Sequence, residues 1–376
     1  MKKIAMFLVA VSFLTACQKD DVLPPPTDTE VSNPELTEVS GFYLLNEGSM
    51  GSNNATLDYY DYSKGVYTTN LYPTANPDVP MDLGDLGVDM AIYGNRLYTV
   101  INGSNKVEVM DAATARRIGQ VEIPNCRYIK FHEGYAYVTS YAGPVEYGSG
   151  NNQVGYVAKV DTASLAVVDR CLVGYQPDGL EIVGGKIYVA NSGGYMYPLT
   201  ENTLSVIDIA SFTEEERIPV AINMQYVIAD DNNCLWISSR GDYYETPSRL
   251  YCYDIAQHAI VAQLEVPVSD ICIDDNNLYI ISSSWNNLTY SYDIAYAKVN
   301  VDSRTKVADN FIDDGSDADI IMPYGIAVNP VTKDILITDV HNYVTPGTVY
   351  CFDATGKKKW SARTGVIPAH ITFTGK

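Results

Sequence analysis

Tyrosine is abundant in this sequence, and many tyrosines fall between predicted strands, next to Asn, Arg and Trp residues. There are 30 tyrosines among 376 residues. An aromatic ring brings a large contact area, and the tyrosine hydroxyl can still reach a polar partner. Rings interspersed with amide and guanidinium groups suit a large, flat, partly apolar ligand with many hydrogen-bonding edges. The candidate ligand-binding residues are Tyr141, Tyr195, Tyr197, Arg240, Tyr243, Tyr244, Trp285, Tyr290, His341 and Tyr343.

Motifs of catalysis and metal binding are missing from the sequence. It contains no GxSxG elbow, HExxH motif, phosphate-binding loop, dinucleotide fingerprint or EF-hand loop. The acidic run at residues 313–319 could crowd carboxylates around calcium, but it lacks the spacing of a known loop, so a solvated acidic turn is preferred. Asp89, Asp178 and Asp270 could hold a metal, or they satisfy backbone donors at the starts of strands. We therefore expect no enzyme and no resident metal or cofactor.

The elements that must position these side chains are short strands in pairs. Each apolar run follows a tight-turn signal, such as Gly94-Asn95 or Gly184-Gly185, which predicts a hairpin. Several of the runs are apolar without alternation, as expected when both faces of a sheet are covered. The predicted strands of this kind are Arg96–Val100, Tyr135–Val138, Lys186–Ala190, Leu235–Ile237, Leu278–Ile281 and Ile335–Ile337.

An aspartate after a later strand of each unit gives the number of units. Seven such residues recur at intervals of 46 to 51 residues, which matches four short strands per blade of a β-propeller. We expect each carboxylate to cap the turn after its strand rather than to take part in function. The sequence therefore predicts an all-β, seven-bladed β-propeller at residues 41–376. The seven markers are Asp61, Asp111, Asp161, Asp208, Asp254, Asp302 and Asp353.

The ends of the chain predict how the ring closes. The final segment, Pro368–Thr374, matches the first strand of a unit, whereas the N-terminal unit opens directly at Gly41–Leu45 and lacks that strand. We expect the C-terminal strand to complete the N-terminal blade, because an open ring would leave exposed sheet edges. Hairpin connectivity also places two kinds of loop on one face: those between second and third strands, and those between blades. That face collects the candidate binding residues.

The N-terminus has the pattern of an exported lipoprotein. Met1-Lys2-Lys3 precedes an apolar stretch too short to span a bilayer. The stretch ends in Leu14-Thr15-Ala16-Cys17, which resembles the bacterial lipobox and implies a signal peptide at residues 1–16 and lipidation of Cys17. The following Gln18–Asp21 is similar to the acidic surface-export signal of Bacteroidetes lipoproteins, or it only solvates the linker. Residues 17–40 are predicted to be the lipidated cysteine and a flexible tether. We expect a lipid anchor in the outer membrane, facing the cell surface.

Charge and cysteine content exclude some classes of function. The formal net charge is −21, which repels nucleic acid, so we expect no nucleic-acid partner. Six cysteines remain after Cys17, and no CxxC pair or cysteine–histidine cluster has zinc spacing.

Two segments carry a family resemblance. Residues 173–180 and 184–193 resemble the YncE-like, or surface-layer, propeller repeat, and this pattern covers the mature chain. Together with the leader and the tyrosine-rich face, the chain looks like the BtuG-type cobalamin-capturing lipoproteins of Bacteroidetes. The resemblance implies a surface protein that captures vitamin B12 or related corrinoids and passes them to a BtuB-like, TonB-dependent outer-membrane transporter. His341 could then approach the cobalt of a corrinoid without its own lower base, although a solvent-facing loop residue is the preferred interpretation.

Two other classes of function stay open. One is a propeller hydrolase or lactonase with a metal at the central channel, which a stoichiometric divalent ion would favour. The other is a surface adhesion or glycan-binding module, which would bind polymer without saturation by a small molecule.

Overall fold

The computed structural model describes residues 23–80, 82–286 and 289–375, and these form seven antiparallel sheets. The all-β, seven-bladed propeller predicted from the sequence is confirmed. The first sheet contains five strands in the order β1, β4, β3, β2 and β29. Their bounds are Thr27–Glu30 for β1, Val39–Asn46 for β2, Thr56–Asp61 for β3, Val66–Thr69 for β4 and Pro368–Gly375 for β29.

Each of the other six blades is a four-stranded meander in chain order. The second blade contains β5 Gly87–Tyr93, β6 Arg96–Ile101, β7 Lys106–Asp111 and β8 Arg117–Glu122. The third contains β9 Cys126–His132, β10 Tyr135–Ser140, β11 Val154–Asp161 and β12 Ala166–Tyr175. The fourth contains β13 Pro177–Val183, β14 Lys186–Asn191, β15 Thr203–Asp208 and β16 Thr213–Pro219. The fifth blade contains β17 Met224–Ala229, β18 Cys234–Ser239, β19 Arg249–Asp254 and β20 Ala259–Leu264. The sixth contains β21 Asp270–Asp274, β22 Asn277–Asn286, β23 Ser291–Asn300 and β24 Thr305–Ala308. The seventh contains β25 Pro323–Val328, β26 Ile335–Asp339, β27 Pro346–Phe352 and β28 Lys358–Val366.

Helical structure is confined to short connections. The α-helix α1, Leu71–Ala75, leads out of the first blade, and two 3₁₀ turns span Gly194–Met196 and Ser316–Asp319. Over the three described ranges, no helix has the length and apolar character needed to cross a membrane.

The apolar core lies between neighbouring blades. Most clusters of buried side chains combine two adjacent sheets. Trp236 of the fifth blade, for example, packs with Leu278 and Val299 of the sixth. The Trp236 indole donates to the Asp230 carboxylate at 2.8 Å, so its one polar atom is satisfied. The innermost strand of every blade contacts that of the next, from β5 through β25 to β29 and back to β5. These seven strands therefore surround the central axis.

The turns after the third strands explain the repeating aspartates. Asp111 accepts hydrogen bonds from the Ala113 and Thr114 amides at 3.1 and 3.0 Å, and Asp161, Asp208, Asp254 and Asp353 make equivalent bonds. Asp302 does not fit this pattern, because β23 ends two residues earlier and Asn300 caps its turn. Asp302 instead accepts from the side chains of Asn232 and Asn276. The sixth marker was thus misplaced by two residues, although the count of seven blades is correct.

The ring closes as the sequence predicted. Strand β29 is the innermost strand of the first blade and pairs antiparallel with β2, for example Leu44 with Ile371. The pairing continues to Val39 and Gly375, so the two ends of the propeller lie side by side.

Part of the predicted tether belongs to the first blade. Strand β1 pairs with β4, Thr27 opposite Thr69, and adds a fifth strand at the outer edge of that sheet. The Asn70 amide donates to the Pro24 carbonyl at 2.8 Å, which extends the contact to the start of the described chain. These bonds cover the free edge of β4, which hydrophobicity alone did not predict because all four β1 side chains are exposed. Cys17 lies outside the described residues.

Hydrogen bonds hold the two kinds of loop together on one face. In six blades, the amide of the residue directly after the second strand donates to the carbonyl of the residue directly before the innermost strand. The pairs are Glu47 to Ile367, Asn102 to Leu86, Tyr141 to Asn125, Ser192 to Gln176, Arg240 to Asn223 and Val340 to Met322. We call this side of the ring the aromatic face.

Candidate functional site

A buried carboxylate lies at the centre of the aromatic face. Asp178 is the second residue of β13 and is fully buried. Its Oδ1 atom accepts from Arg127 Nε at 3.1 Å and from the Tyr141 hydroxyl at 2.6 Å, and its Oδ2 atom accepts from Arg240 Nη1 at 3.2 Å. Three donors from the third and fifth blades therefore meet on one side chain of the fourth.

The two arginines remain cationic in this setting. Burial opposes the charge of Arg127, but Tyr141 and Asp178 outweigh it and raise the pKa of the guanidinium well above its usual value. Burial opposes the charge of Arg240 too, and Asp178 and Tyr243 likewise raise its pKa. Two cations share one carboxylate, so this group, which we call the arginine floor, carries an excess positive charge within a strongly acidic protein.

The arginine floor continues sideways through a polar chain. Arg240 Nε donates to Gln225 Oε1 at 2.9 Å, and Gln225 Nε2 donates to the Tyr128 hydroxyl at 3.3 Å. The Tyr128 ring packs edge-on against Tyr226, with centroids 6.0 Å apart. The Arg127 guanidinium lies over Tyr141 and Tyr128, 5.1 and 5.9 Å from the ring centroids, a cation–π geometry.

A second polar group lies at the seam of the ring. Glu47 accepts from the Tyr324 hydroxyl at 3.1 Å, and its other oxygen lies 3.2 Å from His370 Nε2. Burial lowers the pKa of His370, but the hydrogen bond and charge of Glu47, together with Asp89 and Asp270, raise it above its usual value. This group therefore joins the first and seventh blades through a charged contact.

The carboxylates considered as metal ligands are engaged by the backbone or by the arginines. Asp89 Oδ2 accepts from the Ile129 amide and Asp270 Oδ2 from the Ile326 amide, both at 2.8 Å, so each joins its innermost strand to the next. Burial raises the pKa of Asp270 to about 6 despite these bonds. Within the described ranges, no group of three or more His, Cys, Asp or Glu side chains is arranged to hold a metal ion.

The acidic turn at residues 313–319 is held together by bonds to its own neighbours. Asp314 accepts from the Ser316 and Lys358 amides, and Asp319 pairs with the Lys358 ammonium at 3.0 Å. The carboxylates are therefore arranged as a capped turn, in agreement with the preferred interpretation.

Exposed rings from successive blades surround the arginine floor. Tyr195 contacts Tyr147 and Tyr141 edge-on, with centroids 5.2 and 6.4 Å apart. Tyr197 contacts Tyr244 at 5.1 Å, which links the fourth and fifth blades. Tyr244 is 73% exposed, whereas Tyr141 is buried beneath the surface as a partner of Asp178. The loop that carries Tyr195 and Tyr197 thus links two groups of rings into an aromatic arc across three blades.

The sixth and seventh blades contribute further rings. Trp285 packs edge-on against Tyr292 at 5.2 Å, and Tyr343 does so against Tyr324 at 5.7 Å. Tyr290 is 79% exposed at the end of the β22–β23 hairpin. The sequence did not indicate Tyr292, because both strands of this hairpin extend to ten residues and carry it beyond the expected loop.

Several residues of the aromatic face have a left-handed backbone conformation, which residues other than glycine rarely adopt. Tyr243, Tyr290, His341 and Tyr343 have φ angles of 65°, 52°, 55° and 62°. Hydrogen bonds fix the neighbouring turns; Asp242 Oδ1, for example, accepts three successive amides from Tyr244 to Thr246. Strain of this kind is maintained where the surrounding structure holds it, often at functional positions. The loops thus hold the rings in fixed orientations.

His341 faces its own blade. Its Nε2 atom lies 3.3 Å from Thr348 Oγ1 and 3.5 Å from Asp339 Oδ2. A bond from Nε2 to a cobalt ion would require the ring to give up both contacts.

A separate cleft of about 580 Å³ lies beside the outer strands of the first blade. It is lined by residues that include Asp28, Glu30, Tyr43 and Tyr59, and none of the candidate binding residues contributes to it. We regard the aromatic face as the better candidate, because its polar and aromatic side chains converge from distant blades.

Solved structures similar to this chain share its fold at low sequence identity. A quinonprotein alcohol dehydrogenase-like protein from Bacteroides thetaiotaomicron is 12% identical, with a TM-score of 0.60 over 89% of this chain and 78% of the other. Hydrazine synthase of Kuenenia stuttgartiensis is 18% identical, with a TM-score of 0.56 over 71% and 76%. The computationally designed Ika8 protein is 10% identical, with a TM-score of 0.53 over 92% and 96%. At these identities the likeness shows the fold alone.

Sequence comparison gives a more specific result. No curated protein matches the sequence. A family model matches residues 40–373, which is nearly the whole propeller. The chain therefore belongs to the family described as a domain of unknown function, DUF5074.

Proposed function

We propose that this protein is a cell-surface binding protein that captures cobalamin or a related corrinoid on its aromatic face and passes it to a TonB-dependent outer-membrane transporter. The observation that carries the proposal is the convergence of exposed rings from the third to seventh blades around the arginine floor. Tyr147 and Trp285 are separated by 138 residues of sequence but belong to the same face. Local packing within one blade does not account for this convergence.

The chemistry of the face suits a corrinoid. A corrin ring is broad and flat, and its rim carries amide groups that both donate and accept hydrogen bonds. Exposed rings such as Tyr197 and Tyr244 can contact its apolar surface. Arg240 uses Nε and Nη1 within the described part of the protein and can offer Nη2 to an edge of the ring, which limits the number of buried polar atoms left unpaired.

Binding rather than catalysis is favoured by the state of the carboxylates. A propeller hydrolase would need side chains free to hold a metal or to move a proton at the channel. Asp89 and Asp270 accept backbone amides, and Asp178 accepts three side-chain donors. The hydrolase alternative would require at least one of these bonds to be broken.

The cell-surface part of the proposal rests on the lipobox at Cys17 and on the acidic residues that follow it. A protein held on the outer surface is well placed to concentrate a scarce nutrient, and a large nutrient needs an active transporter to cross the outer membrane. A TonB-dependent transporter is the partner that this role requires.

The test is a calorimetric titration of the full chain with cobalamin, followed by desalting to see whether the red chromophore is retained. We expect one site per chain. Tyr243→Ala/Tyr244→Ala should weaken binding by roughly 30-fold or more, because a few aromatic anchors usually carry most of a binding energy. The matched control is Val168→Ala/Leu172→Ala, which removes two side chains 53% and 64% exposed on outer strand β12.

Two outcomes would contradict the proposal at different levels. If the wild type gives no heat and retains no colour, cobalamin is not the ligand. If the double tyrosine variant binds as tightly as the control, the ligand is correct but the site lies elsewhere. Saturable binding of a polysaccharide in place of cobalamin would support the adhesion alternative.

A further inference from the structure

The arginine floor has hydrogen-bond donors that the protein does not use. Within the described residues, Arg127 donates only through Nε, and Arg240 donates only through Nε and Nη1. Both terminal nitrogens of Arg127 and the Nη2 atom of Arg240 therefore have no acceptor in the described part of the protein. None of these three nitrogens is completely buried without a partner, and the two side chains are 13% and 27% exposed. Solvent or a ligand can reach them.

Asp178 positions the two arginines but does not neutralise both of their charges. Its two oxygens accept from two guanidinium groups and one phenol, so it holds Arg127 and Arg240 in place while cancelling only one of their two charges. Other acids on this face bond elsewhere: Asp242 accepts the amides of its own turn, Asp270 accepts the Ile326 amide, and Glu47 contacts His370 and Tyr324 at the seam. The arginine floor therefore has one positive charge in excess, whereas the protein as a whole carries a net charge of −21.

Fixed guanidinium groups with free N–H donors recognise oxyanions. The planar fork of arginine matches two oxygens of a phosphate or carboxylate, and a charge-assisted bond is stronger than a neutral one. Orienting both forks before the ligand arrives reduces the entropy lost on binding. An acidic protein surface disfavours anions elsewhere, so the contrast makes this position selective.

We propose that Arg127 and Arg240, held by Asp178, form an oxyanion subsite at the centre of the aromatic face, which binds a phosphodiester group of the captured ligand. The inference rests on the proposed function for the identity of the ligand, but the subsite itself can be tested without it. It implies that a corrinoid with a phosphodiester in its nucleotide loop, such as cobalamin, binds more tightly than cobinamide, which lacks that group.

The first arm of the experiment compares cobalamin with cobinamide by calorimetry. Arg127→Gln should lower the affinity for cobalamin by about 10- to 100-fold, the range for loss of a charged hydrogen bond, and leave cobinamide within threefold. Arg217→Gln is the matched control, because Arg217 pairs with Glu214 on outer strand β16, away from the aromatic face. Arg127→Lys keeps the positive charge but not the planar guanidinium group, so its affinity for cobalamin should lie between those of the wild type and Arg127→Gln.

The second arm uses inorganic phosphate alone, titrated into the ligand-free protein at constant ionic strength with chloride as the reference anion. Wild type and Arg217→Gln should bind phosphate, and Arg127→Gln should not. Phosphate binding without any corrinoid binding would refute the proposed ligand and keep the subsite. Equal loss of cobalamin and cobinamide affinity in Arg127→Gln, with no phosphate binding by the wild type, would overturn the subsite and keep the proposed function.

The proposal remains testable if Arg127→Gln fails to fold. Arg240→Gln removes the second fork, whose side chain is more exposed, and leaves Arg127 and Tyr141 on Asp178. It should narrow the preference for cobalamin over cobinamide. An unchanged preference in a folded Arg240→Gln variant would contradict a subsite built from both arginines.

Discussion

The Nε2 atom of His370 lies 3.2 Å from Oε1 of Glu47, and this contact joins two positions 323 residues apart in the sequence. Glu47 follows the second strand of the first blade, and His370 lies in its innermost strand, which comes from the other end of the chain. Tyr324 of the seventh blade bonds to the same carboxylate. The seam of the ring is thus held by an ion pair as well as by strand pairing.

This seam predicts a dependence of stability on pH. The pKa of His370 is raised above its ordinary value of 6.5, so its contribution is fully present below pH 6.5 and is lost as the pH rises through the raised value. His370→Gln should therefore lower the free energy of unfolding most at acidic pH and progressively less at alkaline pH. Denaturant titrations from pH 5 to 9 would measure this. His258→Gln, at an exposed turn, is the control, and a constant difference across the range would contradict the prediction.

Asp270 should contribute to stability through the amide that it caps in the next blade. Asp270→Ala leaves the Ile326 amide without its acceptor in a buried position, which should cost about 1–3 kcal/mol. Asp78→Ala, at an exposed connection, should change stability by less than about 0.5 kcal/mol. Urea unfolding monitored by tryptophan fluorescence measures both. Equal stability of the two variants would show that the interblade bond contributes nothing.

Removal of residues 366–376 should abolish cooperative folding. The truncation deletes β29, exposes the edge of β2 and removes the contacts that β29 makes with β25 of the seventh blade and β5 of the second. We expect a broad thermal transition and a tendency to associate. A truncated chain that melts at the same temperature as the full chain would refute this view of closure.

The Tyr197–Tyr244 contact should couple the two residues in ligand binding. Rings 5.1 Å apart are expected to show a coupling energy of about 0.5–1.5 kcal/mol in a double-mutant cycle for cobalamin affinity. Tyr197 and Tyr343 belong to the fourth and seventh blades, and their alanine substitutions should be additive. Additivity in both cycles would mean that the aromatic arc does not act as one surface.

Surface display should depend on the N-terminal cysteine. Cys17→Ala should release the protein from the membrane, because the proposed lipid anchor would be attached at this residue. Alanine at Lys19, Asp20 and Asp21 should leave the protein anchored but facing inward. Protease accessibility on intact cells measures both effects. Unchanged accessibility of the triple variant would show that the acidic run is only linker.

The strands were predictable from the sequence because their signals are local. Turn residues such as Gly94 and Gly184 and the capping aspartates act within a few positions of the chain, so they could be read directly. Asp302 shows the limit of this approach, since an asparagine two residues earlier performs the same bonding. Strand β1 shows another limit, because its exposed side chains carry no hydrophobic pattern.

The composition of the aromatic face was predictable, but its internal bonding was not. Loop position alone indicated Tyr195, Tyr197 and Tyr244. The role of Asp178 depends on donors 51, 37 and 62 residues away, and no spacing in the sequence indicates that they meet. Tyr141 was therefore expected at the surface, whereas its bond to Asp178 takes it below the surface.

The pairing of Val39 with Gly375 has a topological consequence. These two residues are antiparallel neighbours, so a two-residue turn is long enough to join them into a continuous hairpin. The propeller would then be a closed polypeptide without termini. New termini could be opened in any exposed turn away from the aromatic face, for example between Ile255 and Ala259. Such a circular permutant omits β1, but the other four strands of the first blade would follow one another in the chain. The two chain ends would then meet in the fifth blade.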